Sequence, residues 1–115
     1  MSKVVVKNSK TEAWVKIVAD GQQTIAMSDI AYNGVTPTGA TIKHIDWAVE
    51  DGEIIHLKRG PGGALVDVFN FTGSGEMGFT KHGFELEEYS NTSIVTVGKT
   101  GSKDYNIIIG LTKIE

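Results

Sequence analysis

The chain contains no cysteine among its 115 residues and only two prolines. Without thiols it can form neither a disulfide framework nor a thiolate metal centre, so its stability must come from a packed sheet core, with or without help from neighbouring subunits. No apolar stretch approaches the roughly 20 residues a membrane helix requires. The opening Met1-Ser2-Lys3-Val4-Val5-Val6-Lys7 is too short and too soon charged to read as a signal peptide. There is no excess of positive charge either. Eleven basic against fourteen acidic side chains give a formal charge of -3, which supplies no electrostatic drive toward phosphate backbones or anionic lipid. Nucleic acid and membrane are therefore not expected partners.

What is abundant is glycine, with fourteen residues, set between short runs of Val, Ile, Thr and aromatics. Such runs suit a pleated, half-buried surface, and few segments repeat apolar residues at helical spacing. Strands are expected at Lys3–Lys7, Glu12–Ala19, Gln22–Met27, Ala40–Val49, Glu53–Arg59, Ala64–Phe71, Glu76–Phe79, Ser93–Val97 and Asp104–Ile114. The segment Ser28–Gly39, with Asn33-Gly34 and Pro37, reads as a loop that starts in a helical turn. The length suits one domain over residues 1–115. The fold class is all-β, an antiparallel β-sandwich of jelly-roll type, with a small barrel as the alternative.

Turn lengths suggest a register. Asp20-Gly21 reads as a tight hairpin turn, Glu50-Asp51-Gly52 as a three-residue hairpin loop, and Gly60-Pro61-Gly62-Gly63 as the next turn. The resulting three-stranded meander pairs Trp47 with Ile55, Ile45 with Leu57, Leu57 with Val66 and Ile55 with Val68. Its core face carries Ile45, Trp47, Val49, Ile55, Leu57, Val66 and Val68. The opposite face carries His44, Asp46, Ala48, Ile54, His56, Lys58, Leu65, Asp67 and Phe69. Ala48, Ile54 and Phe69, together with Leu65, are the expected interface, because apolar residues on an outward face want a cover. The run Tyr105–Ile114 is apolar on both alternating sets, as in a central strand covered on both sides.

The candidates for chemistry are few. Asp46, His56 and Asp67 form a polar row that suits a metal or an acid–base pair, but a cross-strand ion-pair ladder explains it as well. One histidine with two carboxylates is a sparse ligand set, so no metal or other cofactor is expected. Gly98-Lys99-Thr100 lacks the upstream glycine and the helix of a phosphate-binding loop and reads as a hairpin loop. Ser74 lacks a nucleophile-elbow pattern. His44 and His82 have no metal-motif spacing. Trp14 alternates with polar neighbours and is a candidate sugar platform, with core or interface packing as the alternative. No nucleophile–base pair emerges, and a non-enzymatic protein is expected.

Three features together resemble small structural proteins encoded beside the head genes of marine tailed phages. They are the Trp-containing strand Ile45-Asp46-Trp47, the basic strand end and turn Leu57-Lys58-Arg59-Gly60-Pro61-Gly62-Gly63, and the terminal run Ile107-Ile108-Ile109-Gly110-Leu111-Thr112-Lys113. The resemblance covers residues 40–114. It implies a capsid-decoration protein, made in the host cytoplasm and carried on the virion. It further implies the major capsid protein or another virion protein as partner, with a homo-oligomer as the assembled form. A carbohydrate-binding or host-recognition module of a tail or neck is the competing expectation.

Overall fold

A computed structural model describes residues 2–19, 21–59, 66–78, 94–100 and 104–114. The element order is β1 (Ser2–Asn8), β2 (Glu12–Ala19), β3 (Gln23–Ala26), a 3-10 turn (Met27–Ile30), β4 (Gly39–Val49), β5 (Ile54–Arg59), β6 (Val66–Phe71), β7 (Ser74–Gly78), β8 (Ile94–Thr100) and β9 (Tyr105–Ile114). Each strand expected from the sequence has a counterpart among the described residues.

The strands form a five-stranded sheet, β1-β2-β9-β4-β7, and a four-stranded sheet, β3-β8-β5-β6. All pairings are antiparallel. Apart from β1, the strands nest as one long folded hairpin: β5 pairs β6, β7 pairs β4, β8 pairs β3, and β9 pairs β2. That nesting is the jelly-roll arrangement of two packed sheets.

Strict alternation builds the core. Along β2 every second residue, Ala13, Val15, Ile17 and Ala19, is buried. Central β9 adds Tyr105, Ile107, Ile109 and Leu111 from the same sheet, and Ile25, Ile55, Leu57, Phe71 and Val97 meet them from the other. Each fully buried aliphatic side chain contributes about 1.5–3 kcal/mol before chain entropy is subtracted. A register shift between Ile42 and His44 puts Lys43 and His44 both outside the core, and Ile45 turns back in. Tyr105 spans the layers, its buried hydroxyl donating to the Gly21 carbonyl at 2.8 Å.

The expected meander does not form. Glu50-Asp51-Gly52 does turn the chain, with Gly52 at φ 83° and the Glu53 N–H donating to the Glu50 carbonyl, but it carries the chain from one sheet to the other. The link at Asp20-Gly21 is likewise a crossing between sheets, from β2 to β3, with Asp20 itself outside the described residues. β5 and β6 do pair, yet with Leu57 opposite Phe69 and Ile55 opposite Phe71, and with a register shift beside Lys58. Ile45, Ile55 and Leu57 still reach the core, because the period of two holds within each strand whatever its neighbour. Trp47 and Val49 pack at its margin. The side chains of Val66 and Val68 and the turn at Gly60–Gly63 lie outside the described residues.

Candidate interaction surfaces

Strand β1 is one edge of the five-stranded sheet. It is fastened at both ends. Near its start, the Lys3 ammonium donates to the Thr24 carbonyl at 2.7 Å and to the Asp29 carboxylate at 2.9 Å. Burial pushes the Asp29 carboxyl up, and the Lys3 ammonium and the Ala26 N–H together outweigh it, leaving it below its ordinary value. At the far end, the Asn8 side-chain amide donates to the Ala31 carbonyl at 3.0 Å, which brings the loop after the 3-10 turn beside β1. Between these fastenings Val4 and Val6 are 49% and 54% exposed.

The adjoining loop makes a miniature hairpin. Tyr32 and Val35 exchange both backbone hydrogen bonds at 3.0 Å around Asn33-Gly34, whose φ values are 51° and 78°. Asn and Gly are the residues that tolerate left-handed backbone at both turn positions. The turn holds Tyr32 at 40% and Val35 at 59% exposure. Beneath lies a pocket of about 280 Å³ walled by Lys10, Tyr32, Asn33, Val35, Pro37 and Lys113. The Lys113 ammonium donates to the Asn8 side chain and to the Ser9 carbonyl and stands 5.6 Å from the Tyr32 ring centre. Burial pulls its pKa below the usual lysine value.

The outer face of the five-stranded sheet carries a second group. Trp14 lies over Gly110, where a Cβ would come within 3.0 Å of three indole carbons. Its ring also meets the His44 imidazole, centroid to centroid at 5.5 Å. The indole N–H is buried with no acceptor among the described residues. Beside it Glu12 bridges Lys43 at 2.7 Å and Lys7 at 2.9 Å, and the hydrogen bond from Lys43, followed by that from Lys7, lowers its pKa to about 2. Asp46 and Glu76 face each other across β4 and β7, with the His44 Nε2 3.7 Å from a Glu76 oxygen.

Against this geometry the expected surfaces need correcting. Ala48, Ile54 and Phe69 are not a row. Ala48 is exposed on the five-stranded sheet, and Ile54 lies on the four-stranded one. Phe69 packs against the core and stacks on Phe71 at 5.6 Å. The reason is local: the register shift in the β5–β6 pair sets Phe69 opposite the inward-facing Leu57. Leu65 and His82 lie outside the described residues, as does the side chain of Asp67. The row Asp46, His56, Asp67 is also dispersed. His56 meets the Asn70 side chain at 2.7 Å in the four-stranded sheet, whereas Asp46 stands in the other sheet. Gly98-Lys99-Thr100 belongs to β8 and is not a hairpin loop.

No family model matches this chain, and neither a curated protein nor a solved structure does. The surfaces therefore have to be read from their own chemistry. Val4, Val6, Tyr32 and Val35 were missed from the sequence because valines on an N-terminal strand look like core until strand order is known. The one available signal was Asn33-Gly34, which marks a two-residue hairpin whose flanks point outward at a tip.

Proposed function

We propose that this protein is a non-enzymatic structural protein of a tailed-phage virion, a capsid-decoration protein that binds the capsid surface and stabilises it. The observation that carries the reading is the grouping of the exposed large apolar side chains. Among the described residues all four, Val4, Val6, Tyr32 and Val35, fall on the β1 edge and the loop fastened to it. An open strand edge beside a preformed apolar tip suits docking on another protein, by strand addition and by insertion of an anchor side chain. The pocket between Lys10 and Lys113 suits an apolar group next to a carboxylate. The jelly roll is used by viral coat proteins but also by lectins and cupins, so the fold lends this reading no more than an analogy. The reading also rests on the resemblance of residues 40–114 to small head-gene neighbours of marine tailed phages, and it includes a homo-oligomer and the virion as the place of work.

The test is the presence of the protein in purified particles and its retention after Val6→Asp and Tyr32→Ser. Stoichiometric copies in wild-type particles, lost in a variant that still folds, are the expected result. A protein absent from particles and monomeric by sedimentation at micromolar concentration would sink the proposal. One observation favours a second reading, carbohydrate binding in a tail or neck: Trp14 lies flat over Gly110 among polar neighbours, as a sugar platform does. Glycan retention that disappears in Trp14→Ala would favour this reading over decoration.

A further inference from the structure

We propose that His44, Asp46 and Glu76 form a binding site for a first-row transition-metal dication, with Zn2+ as the working probe. The site is separate from the β1 edge and independent of the decoration reading. His44 and Asp46 alternate on β4 and so present their side chains on the same outer face. Glu76 stands directly across from Asp46 on β7. One donor atom from each of the three lies within 4.8 Å of the other two. Ligands about 2.0–2.2 Å from a zinc ion sit roughly 3–3.5 Å from one another. Closing the set requires a movement of about an ångström, and the Glu76 side chain, 72% exposed, is free to make it by rotamer change.

Two further observations separate this group from an ordinary acidic patch. The nitrogen donor is packed on one side and clear on the others: the imidazole rests against the Trp14 ring, and the residues opposite it on both neighbouring strands are glycines, Gly110 on β9 and Gly78 on β7, which put no side chain beside it. The second is electrostatic. Two carboxylates placed directly opposite each other on adjacent strands repel, a local cost that a bound cation removes. An imidazole with two carboxylates selects Zn2+, Mn2+, Co2+ or Ni2+ over Mg2+ and Ca2+, which prefer all-oxygen ligand sets. Three protein ligands on an open sheet leave coordination positions for water or for a donor from a docked chain. The ion would clip the edge strand β7 to β4.

The experiment is calorimetric and thermal-shift titration of the full chain, stripped with chelator, with ZnCl2 and in parallel with MgCl2. Saturable binding of one Zn2+ per chain with a rise in Tm is expected, with no response to Mg2+. Binding should vanish in His44→Ala and weaken about tenfold or more in Glu76→Gln, whose exposed side chain leaves folding intact. His56→Ala, in the other sheet, should bind as wild type. Absence of saturable binding up to about 1 mM Zn2+, or binding that survives both His44→Ala and Glu76→Gln, overturns the proposal.

Discussion

The two edges of the five-stranded sheet are managed in opposite ways. Strand β7 is blunt: five residues, two of them glycine, with the Trp47 ring lying over Gly75 and its indole N–H donating to the Thr72 carbonyl at 3.1 Å. Strand β1 is longer and rich in valine, and it leaves Val4 and Val6 exposed. It is not unguarded. Lysines stand at positions 3 and 7, and a register shift between Val5 and Lys7 interrupts its ladder. Lysines and bulges are devices that discourage indiscriminate pairing along an edge. The contrast teaches that one edge is kept short and seated by a ring from its neighbour β4, whereas the other is kept selective by its lysines and by the break in its ladder.

The largest expected effect is beside the short edge. Trp47 stacks on Phe71 at 4.2 Å and covers Gly75. Trp47→Ala should cost about 3 kcal/mol, the lower end for such a change because the ring is half-buried, as read by denaturant unfolding. A negligible loss would mean that β7 is not held by this ring. Next comes Gly110→Ala at the sheet centre, where the added Cβ would meet the Trp14 ring at 3.0 Å. About 1–3 kcal/mol of overpacking is expected, and double substitution with Trp14→Ala should recover part of it. At the open edge Val6→Asp should change stability by no more than about 0.5 kcal/mol while weakening any association seen by sedimentation. Loss of folding instead would show that β1 belongs to the core of the domain.

The smallest effect is set by pH. Glu12 ties Lys7 of β1 to Lys43 of β4, and its folded pKa of about 2 lies below the ordinary 4.5. Its contribution is therefore complete above about pH 4.5 and is lost as pH falls toward about 2. Much of it is screened by solvent, so only a shallow decline in stability is expected across that window, flattened in Glu12→Gln. An identical acid profile for the variant would show that the bridge does not hold β1.

Particular residues show how far the sequence could be read. Glu12–Ala19 was legible to the residue, because strict alternation needs only one strand to be seen. Phe69 was misplaced because the shift in the β5–β6 register leaves no mark on composition. Asp46 was recognised as a candidate ligand but matched to His56, since Glu50-Asp51-Gly52 has the length and the glycine of a hairpin loop. Its neighbours turned out to be His44 and Glu76. For Trp14, outward alternation was readable, but its seat over Gly110, nearly a hundred residues away in the chain, was not.

The sequence by itself determined the all-β class, the positions of the strands and which side of most strands is apolar. These follow from local chemistry: β-branched runs, glycine at turns and a period of two. Strand order, the use of Asp20-Gly21 and Glu50-Asp51-Gly52 as crossings, the fastening of the Tyr32 loop to β1 and the grouping of His44 with Glu76 were decided only by the tertiary structure. A short turn looks the same whether it closes a hairpin or carries the chain to the opposite sheet. The choice is made by burial of both apolar faces at once, a property of the whole sandwich and of no single segment.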